Sequence, residues 1–181
     1  MTSARPLPGD LSPEEKLARM IRVNQAGEYG AKRIYEGQLA VLGKTDSAPV
    51  LTEMLAQEEK HLERFSTIMR QRGVRPTVLE PLWHAAGFAL GAATALMGRE
   101  AAMACTVAVE DVIGEHYAEQ AASLGEDEAE LKSTIESFRA DEMHHRDVSL
   151  ENGAEQAPAY VALTGAIKAG TRLAIWLSKR I

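Results

Sequence analysis

Two Glu-x-x-His motifs alternate with two single glutamates along the chain, and all six residues fall on apolar stripes with helical spacing. In chain order they are Glu28, Glu58, His61, Glu110, Glu142 and His145. An isolated carboxylate on the buried face of a helix costs on the order of several kcal/mol unless it is paired or bound to a cation. The stripes offer no matching row of lysine or arginine. The pattern therefore restricts the chain to folds in which four helices bring four carboxylates to a shared cation site.

The residue types in this pattern indicate a two-metal site. Glu58 and His61, like Glu142 and His145, lie one turn apart on one helix face. With the two single glutamates they make up the four-Glu, two-His ligand set of di-iron and di-manganese carboxylate bundles. Two divalent ions would neutralise the four carboxylates. Because the set offers no thiolate, it suits iron or manganese better than zinc or copper.

The two halves of the pattern echo each other. Glu28 and Glu58 are 30 residues apart, and Glu110 and Glu142 are 32 apart. Each single glutamate is followed by a tyrosine after seven residues and a glutamine after ten: Tyr35 and Gln38, Tyr117 and Gln120. The echo predicts a duplicated helix pair, and hence a pseudo-twofold bundle with one metal in each half.

One neighbouring residue and one neighbouring pair of residues are alternative candidates for the metal ligands. Glu59 lies two residues before His61, on a different face of the helix, and we expect it in solvent. Asp141 and His144 also have the i, i+3 spacing, but their stripe continues through a threonine and a serine. The stripe of Glu142 continues through isoleucine and phenylalanine, which favours Glu142 and its histidine as the inward-facing pair.

Helix signals recur along the whole chain. Ser12, Pro13 and Glu15 form a capping-box start, Gly43 provides a stop, and no segment shows sustained period-2 alternation. The sequence predicts an all-α fold, a four-helix bundle with two additional apolar or amphipathic helices. Residues 1–11 read as a flexible leader and 12–181 as a single domain. The expected helices are at about 12–42, 49–72, 78–98, 99–124, 127–151 and 158–181.

The two additional helices are unusually apolar. Residues 81–98 contain no acidic or basic residue except His84. A helix of this length spans about 27 Å, borderline for a bilayer. Charged residues flank the run closely, so we expect an interfacial or bundle-covering helix. The tail, 158–181, is basic and amphipathic, and we expect both segments to meet a membrane surface. Ordinary core packing is the alternative. The basic residues of the tail are Lys168, Arg172, Lys179 and Arg180.

Charge and cysteine content exclude several other classes. The formal net charge is -6 and no basic block is present, which argues against a nucleic-acid partner. The single cysteine, Cys105, rules out a disulfide framework and a cysteine zinc site, and we expect it to be a small buried apolar residue. The N-terminal residues contain no apolar h-region, so we expect no secretory signal and a cytoplasmic location.

Four segments around the candidate ligands closely resemble the demethoxyubiquinone hydroxylases. They are NQAGEYGA, QEEKHLERF, AVEDVIGEHY and FRADEMHHRD, and the tail AIWLSKRI is similar as well. The resemblance covers about residues 15–181. It implies a ferritin-like fold with two Fe ions per chain, held by the six Glu and His residues. It also implies hydroxylation of 2-polyprenyl-3-methyl-6-methoxy-1,4-benzoquinol with O2 in ubiquinone biosynthesis.

The resemblance also implies which residues lie near the metals, which partner the protein has and where it is located. His116 matches a family histidine close to the ligands, and we expect it and Tyr117 beside them. Trp176 stands where some members have tyrosine. Any role of the tyrosine hydroxyl in those members is therefore not expected of this chain. Family members are peripheral membrane proteins, and the eukaryotic ones work with a lipid-binding partner protein. The chain would then lie on the cytoplasmic face of a bacterial membrane, or on the inner mitochondrial membrane as a processed eukaryotic chain.

Two other functions would use the same ligand pattern. An iron-handling bundle, such as a ferritin-like ferroxidase, would use the same ligands but would have no use for the apolar third segment. A non-enzymatic lipid-binding scaffold could retain the metals for stability alone. Metal content, O2 turnover and detergent dependence distinguish the three.

Overall fold

A computed structural model of the protein describes residues 9–181 and contains six α-helices in this range. They are α1 (Pro13–Leu42), α2 (Ala48–Gln71), α3 (Glu80–Leu96), α4 (Arg99–Ser123), α5 (Ala129–Glu151) and α6 (Tyr160–Ser178). Two single 3-10 turns, Glu126–Glu128 and Ala154–Gln156, precede α5 and α6. No strand occurs between residues 9 and 181, which confirms the all-α prediction. Most of the expected leader, residues 1–8, lies outside the described residues.

The start of α1 has the predicted capping box. Glu15 N–H donates to the Ser12 hydroxyl at 3.1 Å, and Ser12 N–H donates to the Glu15 carboxylate at 2.8 Å. Pro13 occupies the first helical position, where no backbone donor is needed. At the other end Gly43 N–H bonds to the Leu39 carbonyl. Local signals thus fix both ends of the longest helix.

Helices α1, α2, α4 and α5 form a ferritin-like four-helix bundle, in which α1 packs on α2 and α4 packs on α5. Two apolar clusters fill the core, one around Phe65 and Ile135 and the other around Leu51 and Met103. Every residue of α4 from Ala101 to Glu110 is buried. Such all-round burial requires neighbours on every side, and α1, α3, α5 and α6 all contact α4.

Helices α3 and α6 form an outer layer on one side of the bundle, with α3 along α1 and α6 along α4. Glycines permit the close approach of α3 to α1: a Cβ atom at Gly91 would overlap the Ile34 carbonyl, and one at Gly37 would overlap the Phe88 carbonyl. Gly98, at φ +122°, makes the short turn from α3 into α4. The outer layer is therefore held against the bundle by backbone contact.

The outer layer carries the exposed apolar side chains of the described residues. None of the helices within residues 9–181 is both long and apolar enough to span a bilayer. The large exposed apolar residues lie on α3, on α6 or next to their ends: Val78, Leu82, Leu96, Met97, Val161, Leu173, Trp176 and Ile181.

Two basic residues of the tail have partners within the protein. The ammonium of Lys168 lies 2.7 Å from the Asp111 carboxylate, and Arg172 lies 3.0 Å from Glu115, both on α4. These two cations therefore tie α6 to the bundle, and part of the basic face expected for a membrane surface is already paired. The expected burial of Cys105, at 0% exposure, is confirmed.

Candidate metal centre

The six predicted ligand residues converge at the middle of the bundle. Within residues 9–181 they form two overlapping groups, and in each group one ligand atom from every member lies within 4.8 Å of the others. The first group is Glu28, Glu58, His61 and Glu142, and the second is Glu58, Glu110, Glu142 and His145. The two glutamates of the Glu-x-x-His motifs belong to both groups. Two cations in the cluster would share these two glutamates, while each single glutamate and each histidine would serve one cation.

The chemistry of this cluster fits two cations. Each of the six residues is at most 2% exposed, so water does not solvate their charges. Eight of their oxygen and nitrogen atoms are buried without a hydrogen-bond partner: Oε2 of Glu28 and Glu110, both carboxylate oxygens of Glu58 and Glu142, and Nδ1 of His61 and His145. Unsatisfied buried polar atoms are rare in proteins. Eight of them facing one point are the signature of ligands rather than of core packing.

Both imidazoles turn the same nitrogen toward the carboxylates. Nδ1 of His61 lies 3.2 Å from Oε1 of Glu142 and 3.6 Å from Oε2 of Glu28. Nδ1 of His145 lies 3.1 Å from Oε1 of Glu58 and 3.4 Å from Oε2 of Glu142. Each Nδ1 is therefore the ring nitrogen that a cation in the cluster would meet, and each Nε2 points away from the cluster.

Tyrosines brace the two single glutamates across the bundle. The Tyr35 hydroxyl on α1 donates to Oε1 of Glu110 on α4 at 2.9 Å. The Tyr117 hydroxyl on α4 donates to Oε1 of Glu28 on α1 in a short hydrogen bond. Burial and the nearby glutamates raise the pKa of both tyrosines well above the ordinary value, so the hydroxyls stay protonated and remain donors. Each brace leaves the second oxygen of its glutamate free for a metal.

The outward nitrogens of the two histidines bind side chains of the opposite motif. Nε2 of His61 lies 3.1 Å from Oδ2 of Asp141, and Nε2 of His145 lies 2.5 Å from Oε1 of Gln57. Carboxylates and carbonyls in this position orient a metal-binding imidazole and fix its tautomer. Asp141 therefore touches the site from outside, and Glu59 lies at the surface beside Lys32, as expected.

The cluster carries an excess of negative charge. Burial and the neighbouring carboxylates raise the pKa of Glu58 and of Glu110 well above the ordinary value. Burial opposes the charge of Glu142 as well, but the facing imidazoles of His145 and His61 lower its pKa to about 2. For His61 burial is likewise outweighed by Glu142 and Glu28, which raise its pKa to about 10. Two divalent cations would remove this imbalance.

The two expected neighbours of the ligands differ in their contacts. Tyr117 is buried and binds a ligand directly. His116 is half-buried, and its Nε2 lies 2.7 Å from the amide nitrogen of Gln120. Gln120 in turn forms a double amide pair with Asn24, one turn before Glu28. Burial lowers the pKa of His116 to about 4, so the ring is neutral at physiological pH.

Three residues near the ligands received no role from the sequence. In the sequence Tyr35 stands out only because its spacing from Glu28 repeats that of Tyr117 from Glu110, and Gln57 belongs to no motif. Asp141 has the spacing of an alternative ligand and not of an outer partner. A signal for Gln57 and Asp141 did exist, because each stands immediately before the glutamate of a Glu-x-x-His motif.

An apolar cavity of about 340 Å³ lies between the bundle and the outer layer. Its walls come from α1, α3, α4 and α6 and include Gly27, Gly30, Ala31, Leu90, Val109 and Ile113. Gly27 and Val109 directly precede Glu28 and Glu110. The cavity is therefore lined by the same two helices that supply the single glutamates, on the side of the bundle that the outer layer covers.

Comparison with known proteins identifies a family. Residues 15–178 match the family described as ubiquinone biosynthesis protein COQ7. A 3-demethoxyubiquinol 3-hydroxylase of Rhodospirillum rubrum is 58% identical over 97% of this chain and 83% of its own length.

Eukaryotic relatives are similar over comparable shares of the chain. The NADPH-dependent 3-demethoxyubiquinone 3-hydroxylase, mitochondrial, of Homo sapiens is 53% identical over 90% of this chain and 77% of its own length. The 5-demethoxyubiquinone hydroxylase, mitochondrial, of Saccharomyces cerevisiae is 43% identical over 91% of this chain and 78% of its own.

Proposed function

The chain belongs to the COQ7 family of ubiquinone biosynthesis proteins and hydroxylates the demethoxyubiquinol ring, and we propose that it does so with two iron ions held by the buried Glu and His cluster. The observation that supports the metal site most strongly is the set of eight buried ligand atoms without partners. Oxygen ligands with two imidazoles and no thiolate favour iron over softer metals.

Each ligand has a distinct part in this proposal. Glu58 and Glu142 would hold both ions, because only these two residues belong to both groups. Glu28 and His61 complete one position, and Glu110 and the second motif's histidine complete the other. Bound there, iron would supply the O2 chemistry that the protein side chains lack.

The protein residues around the ions position ligands and exclude water. The hydroxyls of Tyr35 and Tyr117 hold the two single glutamates and each donate a hydrogen bond to Oε1. The apolar clusters on either side keep bulk water from the core. The ring hydroxylation adds one oxygen atom of O2 to a ring C–H bond. The other oxygen leaves as water, with two electrons and two protons from a reductant.

The substrate would reach the ions from the outer layer. The 340 Å³ cavity is lined by apolar and small residues, which suits a benzoquinol ring with an isoprenoid tail. The exposed apolar side chains of α3 and α6 suit contact with a membrane surface, where such a lipid resides. An iron-storage bundle would use neither feature.

Residues 81–98 and 158–181 are thus the proposed membrane-facing segments. The mitochondrial names of the eukaryotic relatives are compatible with the inner mitochondrial membrane, and the cytoplasmic face of a bacterial membrane is the other location. A lipid-binding protein of the ubiquinone pathway is the proposed partner at this surface.

Metal analysis of two variants tests the proposal. Glu142→Ala removes a bridging ligand and should abolish binding of both ions and hydroxylation. Glu110→Ala removes a ligand of one position and should leave about one ion per chain while also abolishing hydroxylation. Glu136→Ala, which also lies on α5 but is exposed, is the control and should keep two ions and full activity. Normal iron content and full activity in Glu142→Ala would exclude the assignment.

A further inference from the structure

We propose that the two metal positions are chemically unequal, because the chain gives His61 an anionic outer partner, Asp141, and gives His145 a neutral one, Gln57. The position that contains His61 should bind a divalent metal more tightly and should fill first. This inference rests on the proposed metal site.

The two outer partners occupy equivalent places in the pseudo-twofold bundle. Gln57 precedes Glu58 on α2 and reaches His145 on α5. Asp141 precedes Glu142 on α5 and reaches back to His61 on α2. Each histidine is therefore held by the residue before the glutamate of the opposite motif, and only the type of that residue differs.

The other candidate ligands of the two positions are of the same types. Both share the two bridging glutamates, and each has one single glutamate. Each single glutamate accepts a hydrogen bond from a buried tyrosine, Tyr117 for Glu28 and Tyr35 for Glu110. Both histidines turn Nδ1 toward the carboxylates and would offer it to the metal. The pair of outer partners is thus the clearest chemical difference between the two positions.

The difference has a defined physical effect. A carboxylate accepting from Nε2–H forms a charge-assisted hydrogen bond and increases the electron density at Nδ1, which strengthens the bond from Nδ1 to a cation. The neutral amide oxygen of Gln57 polarises the ring of His145 less. Partial exposure of Asp141, whose side chain is 40% accessible, screens the effect but does not remove it.

The test is a titration of metal-free protein with Co²⁺ under anaerobic conditions, followed by visible absorption. The unsubstituted protein should bind two ions in two phases of different affinity. His61→Ala should remove the tighter phase and His145→Ala the weaker one, which assigns each phase to a position without any activity measurement.

Two reciprocal substitutions then test the cause. Asp141→Asn should weaken the tighter phase by about 10-fold or more, the range for outer partners of metal ligands, and leave the weaker phase in place. Gln57→Glu should strengthen the weaker phase and bring the two affinities together.

Every outcome decides one of the two claims. Two ions of equal affinity, or an Asp141→Asn variant that weakens both phases equally or neither, would overturn the inequality while leaving the two-metal site intact. Fewer than two ions bound to the unsubstituted protein would overturn the proposed site itself. If Asp141→Asn does not fold, Gln57→Glu still decides, because unchanged affinities in that variant contradict the inference.

Discussion

The Tyr35 hydroxyl on α1 donates a 2.9 Å hydrogen bond to Oε1 of Glu110 on α4, and Tyr117 on α4 returns the contact to Glu28 on α1. Each helix of this pair therefore supplies a candidate metal ligand and also holds the candidate ligand of the other helix. The echo of glutamate and tyrosine seven residues apart in the sequence is the trace of this reciprocal arrangement.

Removing one of these hydroxyls should weaken one metal position and leave the fold intact. In Tyr35→Phe the carboxylate of Glu110 loses its donor, and we expect the affinity for one ion to fall by roughly 10-fold. The free energy of unfolding of the metal-free protein should fall by about 1–3 kcal/mol, because a buried acceptor is left unpaired. Metal titration and thermal unfolding measure the two effects.

Tyr29→Phe is the matched control for this prediction. Tyr29 lies on the same helix beside Glu28, but its hydroxyl contacts His84 on α3 at 2.6 Å. The Tyr29→Phe variant should bind both metal ions with unchanged affinity. Equal losses in the two variants would show that the effect comes from helix packing and not from the brace.

Metal removal should destabilise the protein more at higher pH. In the metal-free fold the pKa values of Glu58 and Glu110 are raised by burial and neighbouring carboxylates, and that of His61 is raised to about 10. Native groups with raised pKa values bind more protons than the unfolded chain, so the free energy of unfolding falls as the pH rises. The contribution of His61 is present below pH 6.5 and is lost toward pH 10.

Thermal unfolding of metal-free and metal-loaded protein checks this sign. The melting temperature of the metal-free form should decrease from pH 6.5 upward, and its gap to the loaded form should widen. The lowered pKa of Glu142 stabilises the fold above pH 4.5, and this contribution is lost only as the pH falls from 4.5 toward about 2. It is therefore constant from pH 6.5 upward. Equal melting temperatures of the two forms at neutral pH would contradict a shared buried site.

A charge on the outer layer should separate membrane contact from chemistry. Leu96 on α3 is 76% exposed. If this surface meets lipid, Leu96→Glu should weaken the free energy of membrane binding by about 2–3 kcal/mol. Binding to anionic liposomes and turnover of a long-tailed quinol should fall, while a short-tailed soluble analogue should react normally. Co-sedimentation and activity on both substrates measure the result.

Two further variants complete the comparison. Leu90 lines the cavity, so Leu90→Glu should lower the turnover of both the long-tailed and the short-tailed quinol. Ala56→Glu adds the same charge at an exposed position of α2 and should change neither liposome binding nor turnover. Normal liposome binding and long-tail turnover in Leu96→Glu would place the entrance elsewhere.

The contact between α3 and α1 should not tolerate even a methyl group. A Cβ atom at Gly91 would overlap the Ile34 carbonyl, which is backbone and can yield little. Gly91→Ala should therefore destabilise the protein by about 1–3 kcal/mol, and thermal unfolding checks this. Gly165 on α6 faces open space, so Gly165→Ala should be neutral or stabilise by up to about 1 kcal/mol. A stabilised Gly91→Ala variant would contradict the close packing.

The sequence predicted the helices and the candidate ligands because both depend on local spacing. The capping box at Ser12, the stops at glycines and the 3.5-residue stripes are properties of single helices. The choice of Glu142 over Asp141 also followed from the stripe on its own helix. The structure places the six chosen side chains together, as the stripes predicted.

Relations between helices could not be predicted in the same way. Which glutamates bridge, which side chain reaches the back of each histidine and which residue Lys168 meets all depend on how helices are set against each other. A sequence pattern gives the face of a helix but not the rotation and height of its neighbour. The cavity behind Gly27 and Val109 is likewise a property of four helices together.

The central claim is that this chain transfers one oxygen atom of O2 to a demethoxyubiquinol ring at the buried Glu and His cluster. The most direct test is the mass of the product that the iron-loaded, reduced protein forms from a short-tailed demethoxyubiquinol under ¹⁸O₂. The account predicts a hydroxylated ring that carries one ¹⁸O atom, and no such product from Glu142→Ala. A product labelled only from H₂¹⁸O, or a labelled product formed equally well by Glu142→Ala, would contradict it.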